Sequence, residues 1–285
     1  MNSLTRLPLV VCAAILVAAA PAAAQSDDDA ALKLGEPDFT VIGLPTSLRM
    51  PAFKSAFRVT HRFTRPLDCE TCSNSLAGDA FGIDQGALIG LEMRFGIVPN
   101  GQVGVLRTGD KTVELFAQYG IARQRGAMPV EASLLAALDS TNVGQRGEPS
   151  HFSPLLGIIL TRLIADRAAL YVEPMWINNT NQLPKELVDH NNTFIVGVGA
   201  RVRIRPTVYL VAEAAPRAAG YKPGITQGSF GIEKRAGGHM FQLNFSNAFG
   251  TALSQIARGG LKEQLSNGSS KTNWYMGFNI TRKFF

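Results

Sequence analysis

From Thr193 to Ala214 the chain reads TFIVGVGARVRIRPTVYLVAEA, two alternating runs joined at a tight turn. In the first run Phe194, Val196, Val198, Ala200, Val202 and Ile204 share one face, and Thr193, Gly197, Gly199, Arg201 and Arg203 share the other. A period of two means β-strand, because successive side chains point to opposite sides of the pleat. Arg205 and Pro206 make the turn, after which Val208, Leu210, Ala212 and Ala214 continue an apolar face with Glu213 opposite. Each run has about ten residues, enough to cross a bilayer as a tilted strand. An apolar face set against glycine and charge is the pattern of a strand between lipid and a polar lumen.

The same alternation recurs along the chain and predicts an all-β fold, an antiparallel transmembrane β-barrel of about 12 strands. Besides the opening hairpin, the strands are expected at 53–63, 86–96, 102–108, 112–123, 130–138, 152–163, 168–177, 229–235, 239–247 and 272–284. Pro174 lacks a backbone donor and is expected to break the ladder locally. Connections after strands 2, 4, 6, 8 and 10 are short, and those after 1, 5, 7, 9 and 11 are long; only the turn after strand 3 departs from the rule. Short periplasmic turns and long external loops follow if the N-terminus is periplasmic. Aromatic residues near strand ends (Phe53, Phe63, Phe95, Trp176, Phe194, Trp274 and Phe284) fit interfacial girdles. A soluble β-sandwich or lipocalin-like barrel would turn its apolar face inward. Here the opposite face, rich in glycine and charges of both signs, suits a wet interior.

The first 24 residues read as a signal peptide: Arg6 in the n-region, apolar Leu7 to Ala20, and Ala22 and Ala24 before the cleavage point. Val10 and Val11 before Cys12 are not the small residues of a lipoprotein signal. Residues 25–52 read as a periplasmic lead-in, and 53–285 as the barrel. The lead-in carries apolar Phe39, Val41, Ile42 and Leu44 among prolines 37, 45 and 51, which argue against a helix. Strands 130–138 and 152–163 are apolar on both faces, with Leu135 and Ala137 inward in the first. Residues 39–50 are therefore expected to enter the lower lumen and pack on that sector as a plug.

The inward charges are Arg58, Arg62, Glu92, Arg94, Glu114, Glu131, Glu173, Arg201, Arg203, Glu213 and Glu233. They form either a selectivity constriction or an interior lattice of paired charges. The chain has 28 basic and 22 acidic residues and no dense basic cluster with interleaved aromatics, so nucleic-acid binding is not expected. Cys69-Glu-Thr-Cys72 reads as a small disulfide in the first external loop of an exported protein, with an exposed redox or metal-sensing pair as the alternative. Two thiols cannot build a four-cysteine zinc site. His61, His151, His190 and His239 show no ligand spacing, and no G-x-S-x-G occurs, so no metal, cofactor or catalytic residue is assigned.

The chain ends Trp-Tyr-Met-Gly-Phe-Asn-Ile-Thr-Arg-Lys-Phe-Phe, which resembles the C-terminal recognition signal of bacterial outer-membrane proteins, although the apolar phase runs through Phe284 and not Phe285. Gly43–Leu48, Phe57–Phe63, Asp110–Thr112, Phe241–Gly250 and Gly277–Phe284 resemble an uncharacterised family of bacterial β-barrel proteins known as a domain of unknown function. The resemblance implies an outer-membrane location, contact with outer-membrane lipid, and assembly through the C-terminal strand by the barrel-assembly machinery. The expected function is a porin-like passive channel for small solutes, or a closed structural barrel with binding loops. A conduit for hydrophobic molecules and a membrane-embedded hydrolase are the alternatives.

Overall fold

Alternation sets the wall. In β4 (Thr112–Ala122) the inward residues Thr112, Glu114, Phe116 and Gln118 are buried while Leu115, Tyr119 and Ile121 are exposed. The structure, a computed structural model, describes residues 34–69, 72, 74–143, 150–181, 191–264, 268 and 270–285. The expected signal peptide lies outside the described residues.

The wall is built from β1 (Ser55–Pro66), β2 (Ala87–Val98), β3 (Gly101–Thr108), β4, β5 (Glu131–Thr141), β6 (His151–Ile164), β7 (Ala168–Ile177), β8 (Thr193–Arg205), β9 (Val208–Ala215), β10 (Arg217–Ala219), β11 (Gln227–Ala236) and β12 (His239–Ser246). A separate two-stranded hairpin, β13 (Lys262–Gln264) with β14 (Ser270–Thr272), precedes the last wall strand, β15 (Tyr275–Phe284). Each wall strand pairs antiparallel with its neighbour, and β1 pairs with β15, Ser55 opposite Phe284 and Val59 opposite Ile280. β9 and β10 flank Pro216, which breaks one strand into two pieces that both pair with β8. The result is a closed antiparallel barrel of twelve strands.

Pro174 interrupts the ladder as its missing donor requires. Pairing of β7 with β6 skips from Gly157–Met175 to Leu160–Val172, while the pairing with β8 continues through Pro174–Val196. Several boundaries differ from the sequence reading. Phe53 has φ +61° and is 90% exposed, so it belongs to a turn and β1 begins at Ser55. The last strand begins at Tyr275, because Ser270–Thr272 pairs instead with Lys262–Gln264. Phe63 has the outward phase but is buried, since the 3-10 turn Ala80–Gln85 lies over it. The expected long loop 248–271 holds a short helix, α1 (Leu253–Arg258).

Candidate functional site

The segment 36–50 runs among the inward-facing side chains, and its backbone is hydrogen-bonded to them. Val41 N–H donates to the Leu44 carbonyl at 2.8 Å, closing a tight turn. The next three amides, those of Ile42, Gly43 and Leu44, donate to the Glu213 carboxylate at 2.9, 3.0 and 3.0 Å. Converging backbone amides make a concave site for an anion, and here the anion is a wall side chain. The carbonyls of the same turn meet donors: Thr40 O accepts from Arg201 Nη2 at 2.7 Å, Val41 O from Gln242 Nε2 at 2.7 Å, and Ile42 O from Asn279 Nδ2 at 3.0 Å. Farther along, Gln118 donates to Thr46 O at 2.8 Å, and Gln102 both accepts from Met50 N–H and donates to Leu48 O. Lys283 donates to the Pro37 carbonyl, and the Thr281 hydroxyl to Asp38 Oδ2 at 2.9 Å. Buried backbone groups must be partnered, and inward polar residues of the wall partner these.

Two inward glycines give room for this approach, strictly at Gly96 and by a few tenths of an ångström at Gly197. A Cβ on Gly96 would overlap the Pro51 carbonyl oxygen, and one on Gly197 would sit 3.0 Å from Leu44 Cδ1.

Ten of the eleven predicted inward charges are buried, and Arg203 is half-buried. Three close ion pairs form among them: Arg58 with Glu92 at 2.7 Å, Arg94 with Glu92 at 2.9 Å, and Arg201 with Glu233 at 2.8 Å. Arg62 instead donates to Asn279 Oδ1 at 2.8 Å. Glu131 accepts from the Ser47 hydroxyl at 3.2 Å, and Glu213 holds the turn. Among the described residues neither oxygen of Glu173 has a hydrogen-bond partner. The charges therefore do more than pair with one another: several fix the internal segment.

Helix α1 approaches from the long-loop end. Its unpaired N-terminal amides find partners on the wall: Leu253 N–H donates to Glu114 Oε2 at 2.7 Å and Ser254 N–H to Asp139 Oδ2 at 2.8 Å. Gln255 Oε1 reaches back to the amides of Thr251 and Ala252 at 2.9 and 3.1 Å. Leu253, Ile256 and Ala257 join Leu44, Leu135, Leu155, Ile159, Met175, Ile177 and Ile195 in one apolar cluster. A Cβ on Gly43 would lie 2.8 Å from Ile256 Cδ1, so the turn and the helix touch. Between them remains a void of about 20 Å³, lined by Gly43, Arg58, Glu92, Glu114 and Leu253 among others, room for about one water. Sequence reasoning missed α1, Asp139 and the amides Gln102, Gln118 and Gln242. Their inward phase was the available signal for the strand residues.

A larger cavity of about 550 Å³ lies at the long-loop mouth, above α1, with Asp110, Tyr221, Phe249, Gln255, Arg258 and Lys262 on its walls. In the first long loop Cys69 and Cys72 are joined by a disulfide, Cα atoms 5.5 Å apart. Arg65 and Asp79 pair at 2.6 Å in the same region, and Asn74 Nδ2 donates to Asp79 at 2.7 Å. These bonds, that of Asn74 foremost, hold the Asp79 carboxyl below its ordinary range. The histidines do not converge. His61 faces outward, stacked on Phe278 at 4.7 Å, and His239 meets Arg282 at 3.0 Å. His151 Nε2 and the Ser153 hydroxyl both bond to the Asn179 carbonyl at 2.7 Å. His190 lies outside the described residues. Among the described residues no group of three acidic, His or Cys side chains is placed to hold a metal ion.

The pattern of the membrane bound beta barrel domain, DUF5777, matches residues 40–284. The chain belongs to that family. The match begins at Thr40, so the family domain takes in the turn held by Glu213 as well as every wall strand. This is the barrel family of unknown function that the sequence motifs resembled, and the chain is a membrane-bound β-barrel. No curated protein matches it in sequence. Among solved structures it is similar to the COG4313 outer membrane channel from Pseudomonas putida F1, at 7% identity and TM-score 0.45, covering 82% of this chain and 97% of that one. It is also similar to outer membrane phospholipase A from Escherichia coli, at 12% identity and TM-score 0.44, covering 83% and 95%. A third is the outer membrane channel DcaP of Acinetobacter baumannii, at 10% identity and TM-score 0.35, covering 80% and 71%. No activity is carried across from these likenesses.

Proposed function

We propose that this barrel sits in the bacterial outer membrane after signal-peptide export, long loops outward, and that it is a solute conduit closed at rest. Residues 36–50 act as a plug from the periplasmic side, and α1 caps the lumen from the outside. The observation that carries this reading is the void of about 20 Å³ left between them, too small for any solute. The plug is held mostly by hydrogen bonds between wall side chains and its backbone. Water can replace such bonds at a net cost of about 1 kcal/mol each, or about 1.5–3 kcal/mol where Glu213 or Arg201 is the partner, and none of them belongs to the strand ladder, so the plug is displaceable without unfolding the wall. The apolar sector of Leu135, Leu155, Ile159 and Met175 that Leu44 covers favours a second reading, passage of apolar molecules.

The test is planar-bilayer conductance of the mature chain and of a deletion of residues 39–50. The intact protein is expected to be silent or to open rarely, and the deletion to give steady steps while still shifting on heating in a detergent gel. A folded deletion that stays silent contradicts a conduit and leaves a closed structural barrel. Uptake of an apolar dye that rises in the deletion without ion conductance favours the second reading.

A further inference from the structure

The cavity at the long-loop mouth is lined by apolar or aromatic Leu88, Tyr221 and Phe249 and by charged Asp110, Arg258 and Lys262. Its size of about 550 Å³ lies in the usual range for small-ligand sites. Arg258 ends α1 and is half-buried. Its carbonyl accepts from Arg217 Nη1 at 2.7 Å, but its guanidinium forms no hydrogen bond or ion pair among the described residues. Asp110, the acid lining the same cavity, is already occupied. It accepts from Gln255 Nε2 at 2.6 Å, from the Thr108 hydroxyl and from Thr112 N–H at 3.4 Å. Tyr221 Oη accepts from Asn181 Nδ2 at 2.7 Å, which leaves its own proton to donate. Half-buried and lining the cavity, the Arg258 guanidinium is open to an anion from solution.

We infer that this cavity binds a small organic monoanion, a carboxylate carried on an apolar body of ring or short-chain size. The planar fork of Arg258 matches a carboxylate in two parallel bonds. Lys262 at the exposed rim adds attraction during approach. The negative field of Asp110 counts against a dianion such as phosphate, and the apolar surface that Leu88, Tyr221 and Phe249 contribute to the lining favours an apolar body. Binding here does not depend on whether the plug moves, so this inference and the conduit reading fail separately.

The experiment is titration calorimetry of the full mature chain in detergent micelles with three probes: 4-isopropylbenzoate, its neutral analogue 4-isopropylbenzamide, and inorganic phosphate. The benzoate is expected to bind saturably, the amide about tenfold or more weaker, and phosphate without saturable heat. Arg258→Gln is expected to bring the benzoate down to the amide's affinity. Phe249→Ala is expected to weaken both organic probes alike, and it keeps the test intact if Arg258→Gln disturbs α1. A heat-shift gel confirms that each variant remains a barrel. Equal binding of acid and amide, a folded Arg258→Gln with unchanged benzoate affinity, phosphate binding as tightly as the benzoate, or no saturable binding of any probe overturns the inference.

Discussion

Both carboxylate oxygens of Glu213 accept the backbone N–H of Gly43, each at 3.0 Å, across 170 residues of sequence. With the amides of Ile42 and Leu44 this makes Glu213 the anchor of the internal turn. Glu213→Gln keeps the shape but leaves one acceptor oxygen and turns an N–H₂ toward backbone amides. Hydrogen bonds to a charged group contribute about 1.5–3 kcal/mol, so exchange protection of the amides at 42–44 is expected to fall about ten- to a hundredfold. Hydrogen-exchange mass spectrometry in detergent measures it; unchanged protection there removes Glu213 from the account.

The apolar contact is the second anchor. Leu44 is fully buried against the cluster that also holds Leu135, Ile159 and Ile256. Leu44→Ala is expected to weaken docking of the turn by about 2–5 kcal/mol, the range for truncating a buried leucine. The wall does not depend on Leu44, so thermal unfolding of the barrel is expected to stay where it is while proteolysis within 36–50 accelerates. Equal loss in both would make the segment part of the wall's own stability.

The wall was legible in the sequence because lipid and lumen impose opposite demands on alternate residues, as in Phe194 against Arg201. The apolar character of Phe39, Val41, Ile42 and Leu44 was legible too. What holds them was not: Gln118, Gln242 and Asn279 look like any inward polar residues, and only the folded chain brings them to Thr46, Val41 and Ile42. Gly96 and Gly197 read as part of a wet lumen, whereas they give room to a chain segment. Helix α1 is six residues long, too short to show a helical period. Its N-terminal amides are met by Glu114 and Asp139, 139 and 115 residues away.

In the first long loop, Asp79 has a carboxyl whose folded pKa is lowered by Asn74 and Arg65. A lowered folded pKa contributes stability that is present above the unfolded value of about 3.9 and is lost as pH falls through the folded value. Order in residues 74–85 is therefore expected to hold from neutral pH down to about 4 and to fail below it. Asn74→Ala should move that failure to higher pH. Carboxyl NMR shifts of Asp79 against pH check both; a midpoint above the ordinary carboxylate range would contradict the sign.

The Cys69–Cys72 disulfide closes a very short loop, so its chain-entropy contribution is small beside that of a long one. Replacing both cysteines by serine is expected to leave the barrel's heat shift on a detergent gel unchanged. Loss of the shift in that variant would assign the bond a role in assembly.

Closure of the lumen by the internal segment can be probed with a reversible tether. A Cβ at position 197 lies 3.0 Å from Leu44 Cδ1, so Leu44→Cys with Gly197→Cys, in a chain with Cys69 and Cys72 replaced by serine, is placed to crosslink the segment to the wall. The measurement is planar-bilayer conductance of this variant, oxidised and then reduced in the same membrane, under mild urea that loosens the segment. A silent barrel is expected when oxidised and conductance steps after reduction. Steps of equal size and frequency in both states would contradict closure by the segment.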